Sequence, residues 1–261
     1  MEVEATPKPL LECTNATVRF GSLVAVDNVS LSVTAGETVG IGGPNGAGKT
    51  TFMDLISGLL PLAGGTIAFE GQPITGLAPH LINRLGIART FQLNAGFDGM
   101  TVHDNVLTSV VFGQRLGRRW GPLYTRADLT RTAVLLDQFG LNDCAQVMVS
   151  DIPILARKKL MVATALATDP KLLLLDEPVG GLTPPEVDAY IQVVLDLKSQ
   201  GITIVFIEHV MRFLTTVADR AVIMHHGSLI YDGPPSGIAH DAQVTEVYLG
   251  KSAAAMRGAG Q

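Results

Sequence analysis

The sequence predicts an α/β fold in which a sheet domain carries an inserted helical subdomain. Three observations predict it. A strand-like run, Val39-Gly40-Ile41, leads through Gly43-Pro44-Asn45-Gly46-Ala47-Gly48-Lys49-Thr50-Thr51 into a helical run that ends near Ile56. The runs Leu172-Leu173-Leu174-Leu175 and 202–207 are mostly apolar and turn acidic only where they end, at Asp176-Glu177 and Glu208-His209. That is how parallel strands buried on both faces read. From residue 93 to about 152 the texture changes, and Leu and Val recur at helical spacing.

The 261 residues are 47% hydrophobic and 16% charged, enough apolar content to bury a sizeable core in one large domain or in a core with a smaller subdomain. The net charge is -5 and no basic run or stripe occurs, which argues against nucleic acid as a partner. Cys13 and Cys144 fit no metal or redox spacing and read as free thiols in a reducing cytosol. The opening Met1-Glu2-Val3-Glu4 is acidic and polar, unlike a secretory signal. No apolar run approaches the roughly 18 residues of a membrane span. A membrane role therefore requires a partner, and the expected location is cytoplasmic.

Taken in order, residues 1–9 hold two prolines and little apolar content and are expected to form a loose tail. Residues 13–20 and 24–33 read as strands rich in Val, Leu and Thr, with a hairpin turn at Gly21-Ser22. Ala35-Gly36-Glu37 turns the chain into the strand before the glycine loop, and the helix after Lys49 stops near residues 58–61. Residues 65–71 suit a short strand closed by glycine. Pro79 opens a short helix in its first turn and Gly86 ends it. Residues 87–91 read as a strand, with Gln92 just past it. Helical runs cover 102–112 and 129–139, broken at 113–122, where Arg118, Arg119 and Trp120 suit an exposed loop. A helix is expected over 156–167. An amphipathic helix over 186–200 is opened by Pro184-Pro185 and closed by Gly201. His226-Gly227-Ser228 suits a hairpin between strands at 221–225 and 229–232. A last helix runs to about Leu249, and the Ala- and Gly-rich residues 251–261 form a second loose tail.

The chemistry gathers where strands end. Residues 43–51 fit G-x-x-x-x-G-K-[ST], a loop whose glycines let successive backbone N–H groups point inward at an anion. The helix behind it adds its partial positive end. Lys49 can reach outer phosphates as a point charge, and the Thr50 hydroxyl can hold Mg²⁺. Nucleotide sites on parallel sheets form at the carboxyl ends of strands. Here those ends carry the glycine loop, Gln92, Asp176-Glu177 and Glu208-His209. Asp176 can bind Mg²⁺ through water, and Glu177 can orient or deprotonate an attacking water. His209 suits either a structural role or contact with a terminal phosphate. Gln92 by itself carries no signal.

With these motifs in this order the chain resembles the ATP-binding subunit of an ABC transporter, over about residues 10–250. The resemblance implies a P-loop domain of ABC type with a mixed central sheet, an antiparallel β subdomain and a helical subdomain inserted at about residues 93–165. It implies ATP and Mg²⁺ as cofactors. Phe20 would stack on adenine, and Asn45, Gly46, Ala47, Gly48, Lys49, Thr50 and Thr51 would cradle the phosphates. Thr50, Gln92 and Asp176 would hold the metal. Glu177 would be the catalytic glutamate, His209 the switch histidine and Gln92 the Q-loop glutamine, with Lys49 sharing in catalysis. Gly181-Leu182-Thr183-Pro184 falls at the D-loop. The implied partners are a second ABC ATPase subunit, in a homo- or heterodimer, and membrane permease subunits that hold the chain at the cytoplasmic face and touch residues 93–101. Pro44 to Thr51, residues 85–92 and 165–178, and Val247-Tyr248-Leu249-Gly250 are most similar to ATPases of branched-chain amino-acid importers. Related ATPases for urea and other small polar solutes and for lipopolysaccharide export share much of this.

Two departures stand out. Thr183 occupies the D-loop position where many ABC proteins carry Asp. The LSGGQ signature, whose hydroxyl and amides clamp the γ-phosphate on the other subunit, is replaced by Ile152-Pro153-Ile154-Leu155-Ala156. Pro153 has neither hydroxyl nor N–H, so the expected clamp is weak, unless Arg157, Lys158 and Lys159 supply substitute phosphate contacts. The weak clamp leaves open an ATP-binding regulatory module with little hydrolysis, and the family also leaves open a non-transport ATPase.

Overall fold

The strand that feeds the glycine loop lies inside the larger of two sheets, and the rest of the chain is arranged around it. In the computed structural model, which describes residues 8–91, 96–113 and 123–247, strands β1 (Leu11–Phe20) and β2 (Leu23–Val33) form a hairpin. With β4 (Gly64–Phe69) and β5 (Gln72–Pro73) they make an antiparallel sheet in the order β2-β1-β4-β5. The second sheet has six strands. They are β3 (Thr38–Gly42), β6 (Ile87–Arg89), β7 (Leu172–Asp176), β8 (Thr203–Ile207), β9 (Arg220–His225) and β10 (Ser228–Gly233), in the order β10-β9-β3-β8-β7-β6. Only β10 runs antiparallel. This is the mixed sheet with an antiparallel subdomain that the sequence leads one to expect.

Burial explains why the strands read as apolar throughout. Every residue of β3, β7 and β8 is buried. Side chains alternate between faces, and each face has its own core. Val39, Ile41, Leu172, Leu174, Val205 and Ile207 pack with the antiparallel sheet and helix α1 (Lys49–Ile56). Leu173, Leu175, Ile204 and Phe206 pack on the other side with the helices. Those helices are α3 (Val102–Gly113), α4 (Arg126–Gln138), α5 (Ile154–Leu166), α6 (Pro184–Ser199) and α7 (Met211–Val217), while α2 (Pro79–Leu85) precedes β6.

Local chemistry moves several boundaries. Helix α4 starts three residues earlier than its apolar periodicity, because Thr125 and Asp128 form a capping box: Asp128 Oδ2 accepts from Thr125 N at 2.7 Å and Asp128 N donates to Thr125 Oγ1 at 3.3 Å. Thr183 caps α6 in the same manner, its N–H and hydroxyl donating to Glu186 Oε2 at 2.8 and 2.7 Å. The departure at the D-loop thus has a structural use. Strand β6 stops at Arg89, short of the expected Phe91, and α7 is a helix that the sequence reading lacks. The hairpin at His226-Gly227 closes β9 onto β10 with both φ angles positive, 47° and 81°. The expected tails beyond residues 8–9, Gln92 and the Arg118-Arg119-Trp120 cluster lie outside the described residues.

Candidate functional site

The loop after β3 needs glycine for two physical reasons. Gly43, Gly46 and Gly48 have φ of 139°, 80° and 99°, where a Cβ is strained. A Cβ on Gly43 would run into the carbonyl of Met224, and one on Gly48 into the carbonyl of Ala25. The loop is therefore pressed against β9 and β2 from behind. Gly227 fastens it there, donating to Ala47 O at 2.9 Å and accepting from Asp27 N at 2.9 Å. The front of the loop opens on a cavity of about 280 Å³ lined by residues 45–51 and, from the end of β7, Glu177. Phe20, Asp176 and His209 lie outside that lining.

Lys49 is buried, and its Nζ donates to the carbonyls of Gly43 at 2.7 Å and Pro44 at 3.0 Å. An ammonium has three donors, so among the described residues one remains for a ligand. Burial pushes its pKa down, while Glu177, Asp176 and Glu208 pull against that shift.

A partly buried ion-pair chain holds the acidic strand end. Arg89 donates from Nη1 to Asp54 Oδ1 at 2.6 Å and to Ser57 Oγ at 2.9 Å, and from Nη2 to Asp176 Oδ2 at 2.9 Å. Its guanidinium also sits 5.3 Å from the centre of the Phe91 ring. The other carboxylate oxygen, Asp176 Oδ1, is buried without a hydrogen-bond partner among the described residues. A buried acceptor left open calls for an explanation, and a hydrated cation is one that a carboxylate oxygen suits. With Thr50 lining the cavity, a hydroxyl and a carboxylate of this kind fit Mg²⁺. Among the described residues, no group of three or more His, Cys, Asp or Glu forms a metal site by itself.

Glu177 adopts φ of 45°, uncommon for a residue with a side chain and the sort of local strain that collects at functional sites. Its N–H donates to Ile207 O at 3.1 Å, and its carbonyl accepts from Lys158 Nζ at 2.7 Å. His209 is 53% exposed, and Nδ1 lies 3.7 Å from Glu208 Oε2. Phe20 ends β1 opposite Leu23 and is 50% exposed, open to a planar ligand.

Residues 26–180 match the protein family described as ABC transporter. This chain belongs to that family. It is an ABC ATP-binding subunit, and its similarity runs nearly end to end. It is 34% identical over 253 residues to the high-affinity branched-chain amino acid transport ATP-binding protein LivG of Escherichia coli K12, covering 94% of this chain and 99% of that one. It is 33% identical over 255 residues to the corresponding BraF protein of Pseudomonas aeruginosa, at the same coverage. The ADP conformation of MJ1267, an ATP-binding cassette of an ABC transporter, superposes with a TM-score of 0.84 at 29% identity, covering 93% of this chain and 99% of that one.

Against this frame, the substitutes considered for the lost signature change meaning. Helix α5 opens at Pro153 without a side-chain cap, and Ile154 is 43% exposed. Arg157 Nη2 donates to the carbonyls of Val149 at 2.8 Å and Ser150 at 3.2 Å. Lys158 points inward to Glu177 O. Two of the three basic residues expected as stand-in phosphate contacts are therefore occupied within this chain. Sequence reasoning assigned no role to Arg89, although it sits three residues before Gln92, and none to Glu208, quoted only as a strand end. Charge at the end of a buried strand was the available signal for both. No helix among the described residues is long and apolar enough to cross a membrane.

Proposed function

We propose that this chain binds and hydrolyses Mg²⁺·ATP as one of a pair of ATPase subunits driving a membrane permease for branched-chain amino acids or a similar small polar solute. The observation that carries the reading is the single cavity shared by residues 45–51 and Glu177, in a chain related to LivG and BraF over nearly its full length. The backbone N–H groups of the loop and the Lys49 ammonium would bind the β- and γ-phosphates, and Phe20 would take the adenine. Mg²⁺, held by Thr50, Asp176 and Gln92, would supply charge neutralisation at the phosphates. Glu177 would orient the attacking water and accept its proton, and His209 would contact the γ-phosphate. Motion would pass to the permease through residues 93–101.

The altered signature favours a second reading, an ATP-binding regulatory subunit with little turnover of its own. The cavity-lining Glu177 supports the first, because a pure binding module has no use for it. One experiment separates them. The chain is captured from native membranes, the co-purifying permease and ATPase subunits are identified, and phosphate release by that assembly is compared with release by the chain alone. Transport coupling predicts both captured classes of subunit and ATP turnover stimulated in the assembly. An assembly that binds ATP without turnover at the site carrying Glu177 leaves the regulatory reading.

A further inference from the structure

Glu208 is fully buried at the end of β8, and its carboxylate is surrounded by donors from two loops. Oε1 accepts from Val179 N at 3.0 Å. Oε2 accepts from His209 N at 2.9 Å and Val210 N at 3.0 Å. Val179 lies two residues after Glu177, so one carboxylate ties the segment that carries the glutamate to the segment that carries the histidine. A third element joins them. Lys158, from α5, donates to Glu177 O. Burial pushes the Lys158 pKa down, and Glu208 is the foremost of the carboxylates opposing that shift, ahead of Glu177 and Asp176.

We infer that Glu208 is a positioning residue for ATP hydrolysis: it fixes the spacing between the segments that carry Glu177 and His209, and through the bond from Lys158 to Glu177 O the start of α5 is joined to the same unit. The inference rests on the hydrolytic reading above. All three of its direct partners are N–H donors, which accounts for a carboxylate at this position. A carboxamide of the same shape would set an NH₂ group against Val179 N or against the pair His209 N and Val210 N, whichever way it turned. Either orientation releases one of the two segments. A displacement of about 1 Å between reacting groups costs on the order of 10²-fold in rate, while the loop, Lys49 and Phe20 are left in place to bind nucleotide.

The test is Glu208→Gln, with Glu208→Asp as a second variant that keeps the charge but is one methylene too short to span both segments. In the assembled transporter, kcat is expected to fall on the order of 10²-fold, with KM and the calorimetric ATP affinity unchanged. In a His209→Ala background the same substitution should cost less, because one of the two groups it positions is already gone. Unchanged kcat in either folded variant, a parallel loss of kcat and ATP affinity, or full additivity with His209→Ala would overturn the inference. Amide exchange on the isolated chain decides it independently of turnover. In Glu208→Gln, Val179 or the pair His209 and Val210 must lose protection while β8 keeps its own, and no change at any of the three overturns the strut. An assembly in which the wild-type chain turns over no ATP rejects the hydrolytic reading instead, and leaves the exchange result to judge the tie between the loops.

Discussion

At residues 43–51 the chain places glycine wherever backbone must come close, at Gly43 against Met224 and at Gly48 against Ala25, and it follows them with a buried lysine. At residues 152–156, where the family carries its signature, it places Ile, Pro, Ile, Leu and Ala. The first region lines a cavity that Glu177 shares. The second has no hydroxyl and no glycine and exposes Ile154, and the basic residues that follow it, Arg157 and Lys158, turn back onto this chain's own carbonyls. In an ABC pair each nucleotide lies between one chain's loop and the other chain's signature. On the proposed function, the difference would equip this chain to host a nucleotide and leave it poorly equipped to clamp its partner's. Paired with itself it would make two slow sites. Paired with a relative carrying an intact signature it would make one competent site, on its own loop, and one slow site on the partner's.

The largest expected effect tests that division directly. Glu177→Gln in the assembled transporter should lower turnover by about 10²–10⁴-fold, the range for loss of a positioned acid or base. The matching substitution in the partner ATPase should be tolerated. Equal losses from the two, measured as steady-state phosphate release, would show that residues 152–156 still clamp. Next in size is the repair. Pro153→Ser with Leu155→Gly restores a hydroxyl and a flexible N–H at the start of α5. Each donor to a developing charge is worth on the order of 10²–10³ in a well-studied protease, so turnover by the chain alone should rise by at least about 10². The added glycine costs roughly 1 kcal/mol of helix stability, visible as a modest drop in Tm. A repaired chain that stays slow would locate the defect elsewhere. Third is Lys49→Ala, which removes a charge-assisted contact of about 1.5–3 kcal/mol. ATP affinity by calorimetry should fall roughly 10- to 150-fold, and an unchanged affinity would refute the loop as the phosphate site.

Much of the fold was legible because its cues are local. The fully buried strands β7 and β8 announce themselves as apolar runs, Pro79 and Gly86 bracket α2, and the glycine loop is contiguous in sequence. What was not legible depends on side chains meeting across the fold. Helix α7 is seven residues long with Phe213, Leu214 and Val217 inward, too short for periodicity to register. The start of α4 is set by Thr125 and Asp128 rather than by its apolar face. Arg89 finds Asp176 across 87 positions in sequence, and Glu208 finds Val179 across 29. Neither pairing has a periodic or spacing signature. The inward turn of Lys158 reversed the role considered for it, because a run of three basic residues does not reveal which one faces the core.

The smallest effect concerns Phe20, and it serves as the control for the comparison. The ring ends β1, is half exposed and stands outside the cavity lined by the loop and Glu177. A half-exposed aromatic at a hairpin tip adds little to the fold, so its removal should leave Tm nearly unchanged. If it stacks on adenine, Phe20→Ala forfeits about 1–3 kcal/mol, by analogy with base–aromatic stacking elsewhere. Adenine is common to ATP and ADP and is remote from the γ-phosphate that the signature clamps. The loss should therefore be equal for the two nucleotides, equal in the native and the repaired chain, and insensitive to which partner subunit is present. Calorimetric titrations of ATP and ADP into wild-type and Phe20→Ala protein, with and without the Pro153→Ser and Leu155→Gly changes, make that comparison. A loss confined to ATP, or one that depends on the state of residues 152–156, would place Phe20 near the reacting phosphate and would mean that the loop and the signature are not separable contributions to this site.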